Sequence, residues 1–446
     1  MRFSADALRA VLEESLPDGA TGLLAAVSGG ADSASLLAAL AGGGAPRGLG
    51  VRAVHVDHGL QPAAAALRGA CEALSRNLAV PLAIAAVEVE SGPGRSIEAE
   101  ARAARYGAFE RLLSPGECLL TAHHAEDQAE TLLLQLLRGA GLKGLSAMPG
   151  CRALGRGWHL RPLLDVSRAA LREFGAARGI ASIEDPMNLD SRFDRSYLRG
   201  EIWPAIERRW PGAAAALSRS ARHLAEAQQF LDLAAARTVD RLRDGDALSV
   251  PGLRALAPRE QINVLRWWLA SASIIPPSTS RLAEAMRQIL TAQADHLPAV
   301  VWGEHAFRRY QERLFVTPAA LPALPEEDRA WRTAAGSRLE LGTSLGALLW
   351  VEREGGLDTA RLPESVSVRR RRGGETLRTG PRARTHTVQH LCQAHGVLPW
   401  MRDALPMVYA GEALIAIGDL WQDARFSVPA GARGLACAWE GAPHLM

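Results

Sequence analysis

Lysine is almost absent. The chain has 446 residues and 51 basic side chains, of which only Lys143 is a lysine. With the many alanines and glycines, this reads as genome composition and assigns no function. Cysteine is also scarce. Cys71, Cys118, Cys151, Cys392 and Cys437 are scattered, odd in number and never spaced C-x-x-C. That excludes a disulfide framework and a zinc knuckle, and points to a reducing compartment. No run of ~18 apolar residues exists that could cross a bilayer. The start, Met1 to Leu8, carries an acid early and lacks the apolar stretch of a signal peptide. A cytoplasmic protein with no membrane partner is expected. A net charge of only +3 does not announce a polyanionic partner, and no repeat of solenoid period occurs.

What is present is an ordinary globular balance, 48% apolar and 22% charged. At ~150 residues per domain the length suggests about three domains. In the first ~200 residues, short apolar runs alternate with helical periodicity. Leu23–Val27, Val51–Val56, Leu82–Val89 and Cys118–Ala122 read as strands. Asp32–Leu40, Ala63–Leu78, Ile97–Leu113 (Ser96 its N-cap) and Glu126–Arg138 read as helices. This spacing predicts an α/β domain over residues 1–212, a parallel sheet with helices on both faces. Its ligands should sit beyond the carboxyl ends of the strands. Residues 213–325 read as a helical domain, broken at Pro276-Pro277 and closed by a linker at Leu321–Pro325. Residues 335–446 read as a small α+β domain, with a helix at Thr387–Ala394.

Ser28-Gly29-Gly30-Ala31-Asp32-Ser33 lies between a strand and a helix. Two glycines let the backbone bend close to an anion. The helix start aims free N–H groups and a positive dipole end at it. Ser28 and Ser33 add hydroxyls, while Asp32 fits beside phosphate only as a helix cap or as the orienter of a metal. A Walker A loop needs a lysine, and the only one stands at position 143. The G-x-G-x-x-G dinucleotide fingerprint is also missing. The bland alternative is a Gly-rich turn, but six residues together in this context favour a nucleotide.

Other residues converge on the same strand ends. Asp127 and Glu130 share a helix face. They could bind an ammonium and accept its proton, hold Mg²⁺, or form a solvated acidic face. His123 and His124 lack the further ligands of a zinc site, and backbone support or phosphate contact is expected of them. Arg102, Arg105 and Tyr106 lie at i, i+3, i+4, for nucleotide phosphates, an RNA backbone or solvent. His55, Asp57 and His58 end a strand at the ligand-facing edge and fit a nucleotide pocket, which His58 and Gly59 should shape. From Arg369 to Arg384 there are seven arginines, Arg369, Arg370, Arg371, Arg372, Arg378, Arg382 and Arg384, against one acid. A dense arginine cluster suits phosphates, and His386, His390, His395 and Trp400 could stack on RNA.

The loop resembles the PP-loop ATP pyrophosphatase superfamily, whose S-G-G-x-D-S signature it matches residue for residue. Further segments narrow the resemblance: Val54–Leu60, Thr121–Thr131, Arg138–Leu145, Asp185–Asp190, Arg195–Arg199, Leu398–Pro406 and Gly418–Trp421. Together they look like the tRNA(Ile)-lysidine synthase family along the whole chain. One departure is Ser196, where that family usually carries Asn. The resemblance implies ATP as substrate with Mg²⁺, which Asp32 would orient. It implies adenylation of the C2 oxygen of the wobble cytidine (position 34) in the CAU-anticodon isoleucine tRNA. Free L-lysine then displaces AMP, giving lysidine and switching decoding from AUG to AUA. It suggests Ser28–Ser33 for ATP, Asp127 and Glu130 for lysine, Arg195 and Arg199 in a segment closing over the activated base, and the arginine cluster for tRNA. A homodimer is one assembly the sequence allows. A thiolase of the same superfamily would need cysteine pairs near the loop. A nucleotide-dependent RNA-binding regulator would catalyse no ATP–pyrophosphate exchange.

Overall fold

The computed structural model describes residues 2–57, 64–88, 97–181, 183, 194–293 and 297–443. It divides into two compact units, Met1–Leu233 and Ala234–Met446. The first contains α1 (Ala5–Ser15), β1 (Gly22–Ala26), α2 (Ala31–Ala39), β2 (Gly50–Asp57), α3 (Ala64–Asn77), β3 (Leu82–Ala86), α4 (Ile97–Leu112), β4 (Glu117–Leu120) and α5 (Ala125–Leu137). It continues through α6 (Leu142–Leu145), β5 (Cys151–Leu154), β6 (Gly157–Leu160), α7 (Arg168–Ala176), α8 (Asp194–Tyr197) and α9 (Trp203–Arg209). The N-cap expected at Ser96, together with His58, Gly59, Asp185 and Asn188, falls outside the described residues.

The strand order is β3-β2-β1-β4-β6-β5, and all pairs are parallel except the β5–β6 hairpin. The apolar runs of β1 and β4 are continuous because both faces of this sheet are covered. Leu23 and Ala25 of β1 join Cys118 and Leu120 of β4 in one core, with Leu8 and Leu12 of α1, Leu36 and Leu37 of α2 and Leu171 of α7. Leu24 and Leu119 face the other core, against Val54, Phe109 of α4 and Leu113. Alternate side chains thus feed opposite layers, as the two-residue period of a strand requires. After β1 the chain moves outward to β2 and β3, then returns to place β4 on the other side of β1. That reversal is the topological switch point, where ligands of such sheets bind.

α10 (Ala213–Leu242) begins in the first unit and ends in the second. The second unit holds β7 (Arg243–Asp244), β8 (Ala247–Ser249), α11 (Val250–Arg254), α12 (Pro258–Ser271), α13 (Thr279–Thr291), β9 (Ala299–Trp302), β10 (His305–Tyr310) and β11 (Arg313–Pro318). The helices expected here are present. The sequence reading missed their companion, an antiparallel sheet in the order β7-β8-β11-β10-β9. One core joins its Leu248, Phe307 and Leu314 to Leu265, Leu269, Leu282 and Ile289 of the helices.

The rest of this unit carries β12 (Arg329–Arg332), β13 (Arg338–Gly342), β14 (Gly346–Glu354), β15 (Ser365–Arg369), β16 (Thr376–Leu377), β17 (His386–Thr387), α14 (Val388–Ala394), β18 (Met407–Ala410), β19 (Ala413–Ile417), β20 (Trp421–Gln422) and β21 (Arg433–Glu440). Two antiparallel sheets, β12-β15-β18-β19-β20 and β13-β14-β21, share a core centred on the stacked indoles of Trp331 and Trp350. Thr387 caps α14 through its hydroxyl, which accepts from the His390 N–H. Among the described residues no helix is long and apolar enough to cross a membrane.

Candidate active site at the sheet switch point

The loop after β1 is built by its own residues. Gly29 sits at φ +86°, and a Cβ there would lie 2.9 Å from Leu67 Cδ2. Only glycine fits this backbone. Gly30 is extended and opens α2 without a side-chain cap, so the first amides of the helix stay available to an anion. The Ser33 hydroxyl accepts from Ser28 N–H at 3.1 Å and donates to Gly30 O at 3.0 Å, closing the turn. The Ser28 and Ser33 oxygens lie 3.1 Å apart.

Behind the loop lies a cavity of about 300 Å³. Ser28, Asp32 and Ser33 line it from the loop, Asp57 from the end of β2, Arg102, Arg105 and Tyr106 from α4, and His123 from the end of β4. His55 also borders it, but its Nδ1 lies 3.0 Å from Val27 O and 3.5 Å from Cys71 Sγ. His55 is therefore a buried support for the loop's first residue.

His124 joins the loop to α5. Its backbone N–H donates to Asp127 Oδ2 at 3.1 Å, and its Nδ1 lies 2.9 Å from Glu126 Oε2. Its Nε2 is 3.6 Å from Asp32 Oδ2 and 3.4 Å from Asp127 Oδ2. Burial works against a charged ring, but the hydrogen bonds to Asp32 and Glu126 and the charge of Asp127 outweigh it, and His124 is pushed up to about 9. At neutral pH this ring is a fixed cation among three carboxylates. Burial alone would raise Asp127, yet the surrounding His and Arg charges hold it below the usual carboxylate range. His123 behaves oppositely. Burial lowers it, Asp127 offsets part of the drop, and Arg161, Arg195 and Arg102 add to it, leaving it down to about 3.

Asp127 and Glu130 share one face of α5, as expected, but neither is a free carboxylate. Arg199 binds Glu130 from Nε (2.8 Å) and Nη2 (2.8 Å) and Asp127 Oδ1 from Nη2 (3.0 Å). Arg195 donates to Glu130 Oε2 at 3.2 Å and to Thr131 Oγ1 at 2.8 Å. Two acids and two arginines thus form one network, with Glu130 buried at its centre. The spacing of each pair placed it on one helix face; nothing in it showed that the pairs bind each other.

Asp32 keeps one oxygen in reserve. Its Oδ1 is buried and has no hydrogen-bond partner in the structure, while Oδ2 faces His124 and, at 3.8 Å, Arg168. Among the described residues no group of three or more His, Cys, Asp or Glu is placed to hold a metal. One spare carboxylate oxygen beside a phosphate loop fits a hard cation bound mainly by phosphates and water, as Mg²⁺ is. Sequence reasoning missed Arg168 and Glu126. Arg168 faces Asp32, and its backbone N–H donates to Glu126 at 2.9 Å.

The arginine cluster of the second unit is less uniform than its sequence. Arg369 pairs with Asp328 and Glu412 and lies over the Tyr409 ring. Arg370 reaches Asp403, Arg371 faces Glu375 at 3.8 Å, and Arg372 reaches Asp328. Arg378 donates to Ala383 O and Pro381 O, stapling its own loop. Arg382 and Arg384 are exposed.

Comparisons with known proteins give the family. Residues 4–206 match the PP-loop domain family, residues 248–315 the TilS substrate binding domain and residues 366–439 the TilS substrate C-terminal domain. A tRNA(Ile)-lysidine synthase of Alkalilimnicola ehrlichii is 39% identical, covering 95% of this chain and 94% of its own. Those of Coxiella burnetii and Methylococcus capsulatus are 38% and 37% identical, over 88% and 100% of this chain and 87% and 98% of theirs. With its phosphate loop and carboxylate–arginine network at one switch point, the chain belongs to the tRNA(Ile)-lysidine synthase family.

Proposed function

We propose that this protein uses ATP to join free L-lysine to C2 of the wobble cytidine in the CAU-anticodon isoleucine tRNA. The observation that carries this reading is the link through His124, which joins the phosphate loop at Asp32 to the carboxylate at Asp127. His124 thereby bridges the loop that would hold the nucleotide and a carboxylate of the pair that would take the ammonium.

In this reading Ser28, Gly29, Gly30 and Ser33, with the first amides of α2, hold ATP phosphates. Mg²⁺ at the spare Asp32 oxygen would neutralise phosphate charge when bound. Asp57, Arg105 and His123 line the nucleotide cavity, with His55 supporting the loop. The C2 oxygen of the cytidine attacks the α-phosphorus and pyrophosphate leaves. The lysine ε-amine then attacks C2, a proton passes to Asp127 or Glu130, and AMP departs with the former C2 oxygen. Atoms balance to cytidine plus lysine minus water, and decoding switches from AUG to AUA.

The acids are paired in this state, so the ammonium must exchange with a guanidinium. ATP phosphates and the activated base offer Arg195 and Arg199 other anionic partners, which would open Asp127 and Glu130 to lysine. We assign residues 1–212 to catalysis, and 213–325 and 335–446 to holding tRNA. The test is a mass spectrum of nucleosides from isoleucine tRNA incubated with ATP, lysine and the protein. A cytidine heavier by one lysine less water is expected, with one AMP released per product. Unchanged cytidine with no ATP–pyrophosphate exchange would leave a nucleotide-dependent RNA binder instead.

A further inference from the structure

A chain of hydrogen bonds, buried at His159, runs into the nucleotide cavity from the β5–β6 hairpin. At its far end, Arg161 Nη2 lies 3.2 Å from His159 Nδ1, and Arg152 Nε lies 3.5 Å from the same nitrogen. His159 Nε2 is 2.8 Å from Thr121 Oγ1, and Thr121 Oγ1 is 2.8 Å from His123 Nδ1. His159, Arg161 and Thr121 are buried, while His123 lines the cavity.

The donor inventory sets the direction once the Thr121 proton is given a partner: among the described residues its hydroxyl meets only the two ring nitrogens. Arginine has no lone pair to offer, so His159 Nδ1 must accept. A neutral ring has one N–H, which then sits on His159 Nε2 and points at Thr121. The Thr121 oxygen accepts it, and its own single proton goes to His123 Nδ1. His123 Nδ1 therefore accepts, and its N–H is on Nε2. The reverse direction would aim a His159 Nδ1–H at two guanidinium groups.

We propose that Arg161, His159 and Thr121 are positioning residues that lock His123 as a neutral imidazole whose Nε2–H serves a phosphoryl oxygen of the bound nucleotide. This deepens the reading above only in naming the phosphoryl group. A locked neutral donor binds that oxygen without adding charge, and neither gains nor loses a proton during turnover. The charges that bear most on His123 are the acid Asp127 on α5 and the cations Arg161 after β6, Arg195 on α8 and Arg102 on α4, with the charged His124 ring next in the chain. Burial and these cations favour the neutral ring.

The direct test is nitrogen NMR of the full chain labelled with ¹⁵N-histidine, with the His123 signals assigned by their loss in His123→Gln. A protonated-type signal at Nε2 and an unprotonated-type signal at Nδ1, both unchanged from pH 5.5 to 9, are expected. Adding ATP should move the Hε2 resonance downfield. An Nδ1–H tautomer, or titration near pH 6.5, would overturn the lock. An Hε2 resonance unmoved by saturating ATP would overturn the phosphoryl contact. All these signals are read without tRNA or lysine, so they stand apart from the nucleoside assay. Thr121→Val keeps the shape and removes the hydroxyl. It should lower the rate of AMP formation at saturating substrates roughly three- to tenfold, the worth of one hydrogen bond, and let both tautomers appear. Thr121→Ser should restore rate and tautomer, and equal rates in Val and Ser variants would count against the proposal.

Discussion

At the scale of single residues the loop's two glycines do different work. Gly29 is needed by the backbone, because its φ is +86° and a Cβ would press on Leu67. Gly29→Ala should cost about 1–3 kcal/mol of stability, read as a lower thermal midpoint, and ATP use should fall with it. A Cβ on Gly30 meets only Ser28 Oγ at 3.5 Å. Gly30→Val should leave the midpoint nearly unchanged, yet abolish ATP–pyrophosphate exchange by blocking a phosphate, with tRNA binding near normal. Retained exchange in that variant would remove the phosphate from this amide. The histidines set a pH dependence of opposite sign at their two positions. His124 is raised from 6.5 to about 9, so its contribution is complete below pH 6.5 and is lost as pH rises through 9. His123 and His159 are lowered to about 3 and about 2, chiefly by burial. The unfolded chain then binds their protons first, and stability falls as pH drops below 6.5. Thermal melts from pH 5 to 9.5 should peak near 6.5, and His124→Gln should flatten the alkaline limb alone.

At the scale of elements, the position of β6 decides whether the buried chain to His123 exists. Gly157 opens that strand, and a Cβ on it would overlap the Glu117 carbonyl oxygen of β4. A glycine in a strand often marks such close backbone approach. Gly157→Ala should part β6 from β4, lower the thermal midpoint by several degrees and weaken the Thr121–His159 bond. An unchanged midpoint would mean that the strands separate at no cost. The main elements of the first unit were legible because β1 and β4 are apolar runs between glycine-rich or polar turns, and α5 begins with acids. The switch point followed from that alternation. The hairpin β5–β6 was not legible, since Cys151–Leu154 is largely exposed and has no apolar pattern. The sheet of β7 to β11 was hidden by the helices that flank it in sequence, and its strands are two to six residues long. In the site, the six-residue loop was readable because its chemistry is local. The Asp127–Arg199 and Asp32–His124 pairs were not, because they join residues far apart in the chain.

At the scale of the whole molecule, catalysis and tRNA grip are proposed for different parts of the chain, and they should respond to different perturbations. Asp127→Asn and Glu130→Gln should cut lysidine formation far more than tRNA affinity, since both acids lie in the network on α5. The arginine cluster should do the reverse, with a division of labour inside it. Both Arg369 and Arg372 reach Asp328, but the Arg369 side chain is only 15% exposed and Arg372 is 68% exposed. Arg369→Ser should therefore lower stability, while Arg372, Arg382 and Arg384 are the side chains open to phosphate. Each phosphate contact removed should lower affinity and flatten the logarithmic salt dependence by ~0.7–0.9. Changing Arg372, Arg382 and Arg384 together to Ser should weaken tRNA binding by orders of magnitude at moderate salt and reduce the slope by about 2 to 3. The chemical step at saturating tRNA should change little. Filter binding across a salt series, paired with single-turnover AMP release, separates the two effects. An unaltered slope in the triple variant would make these three arginines a solvated face, and the phosphate contacts would then have to come from the helical residues 213–325.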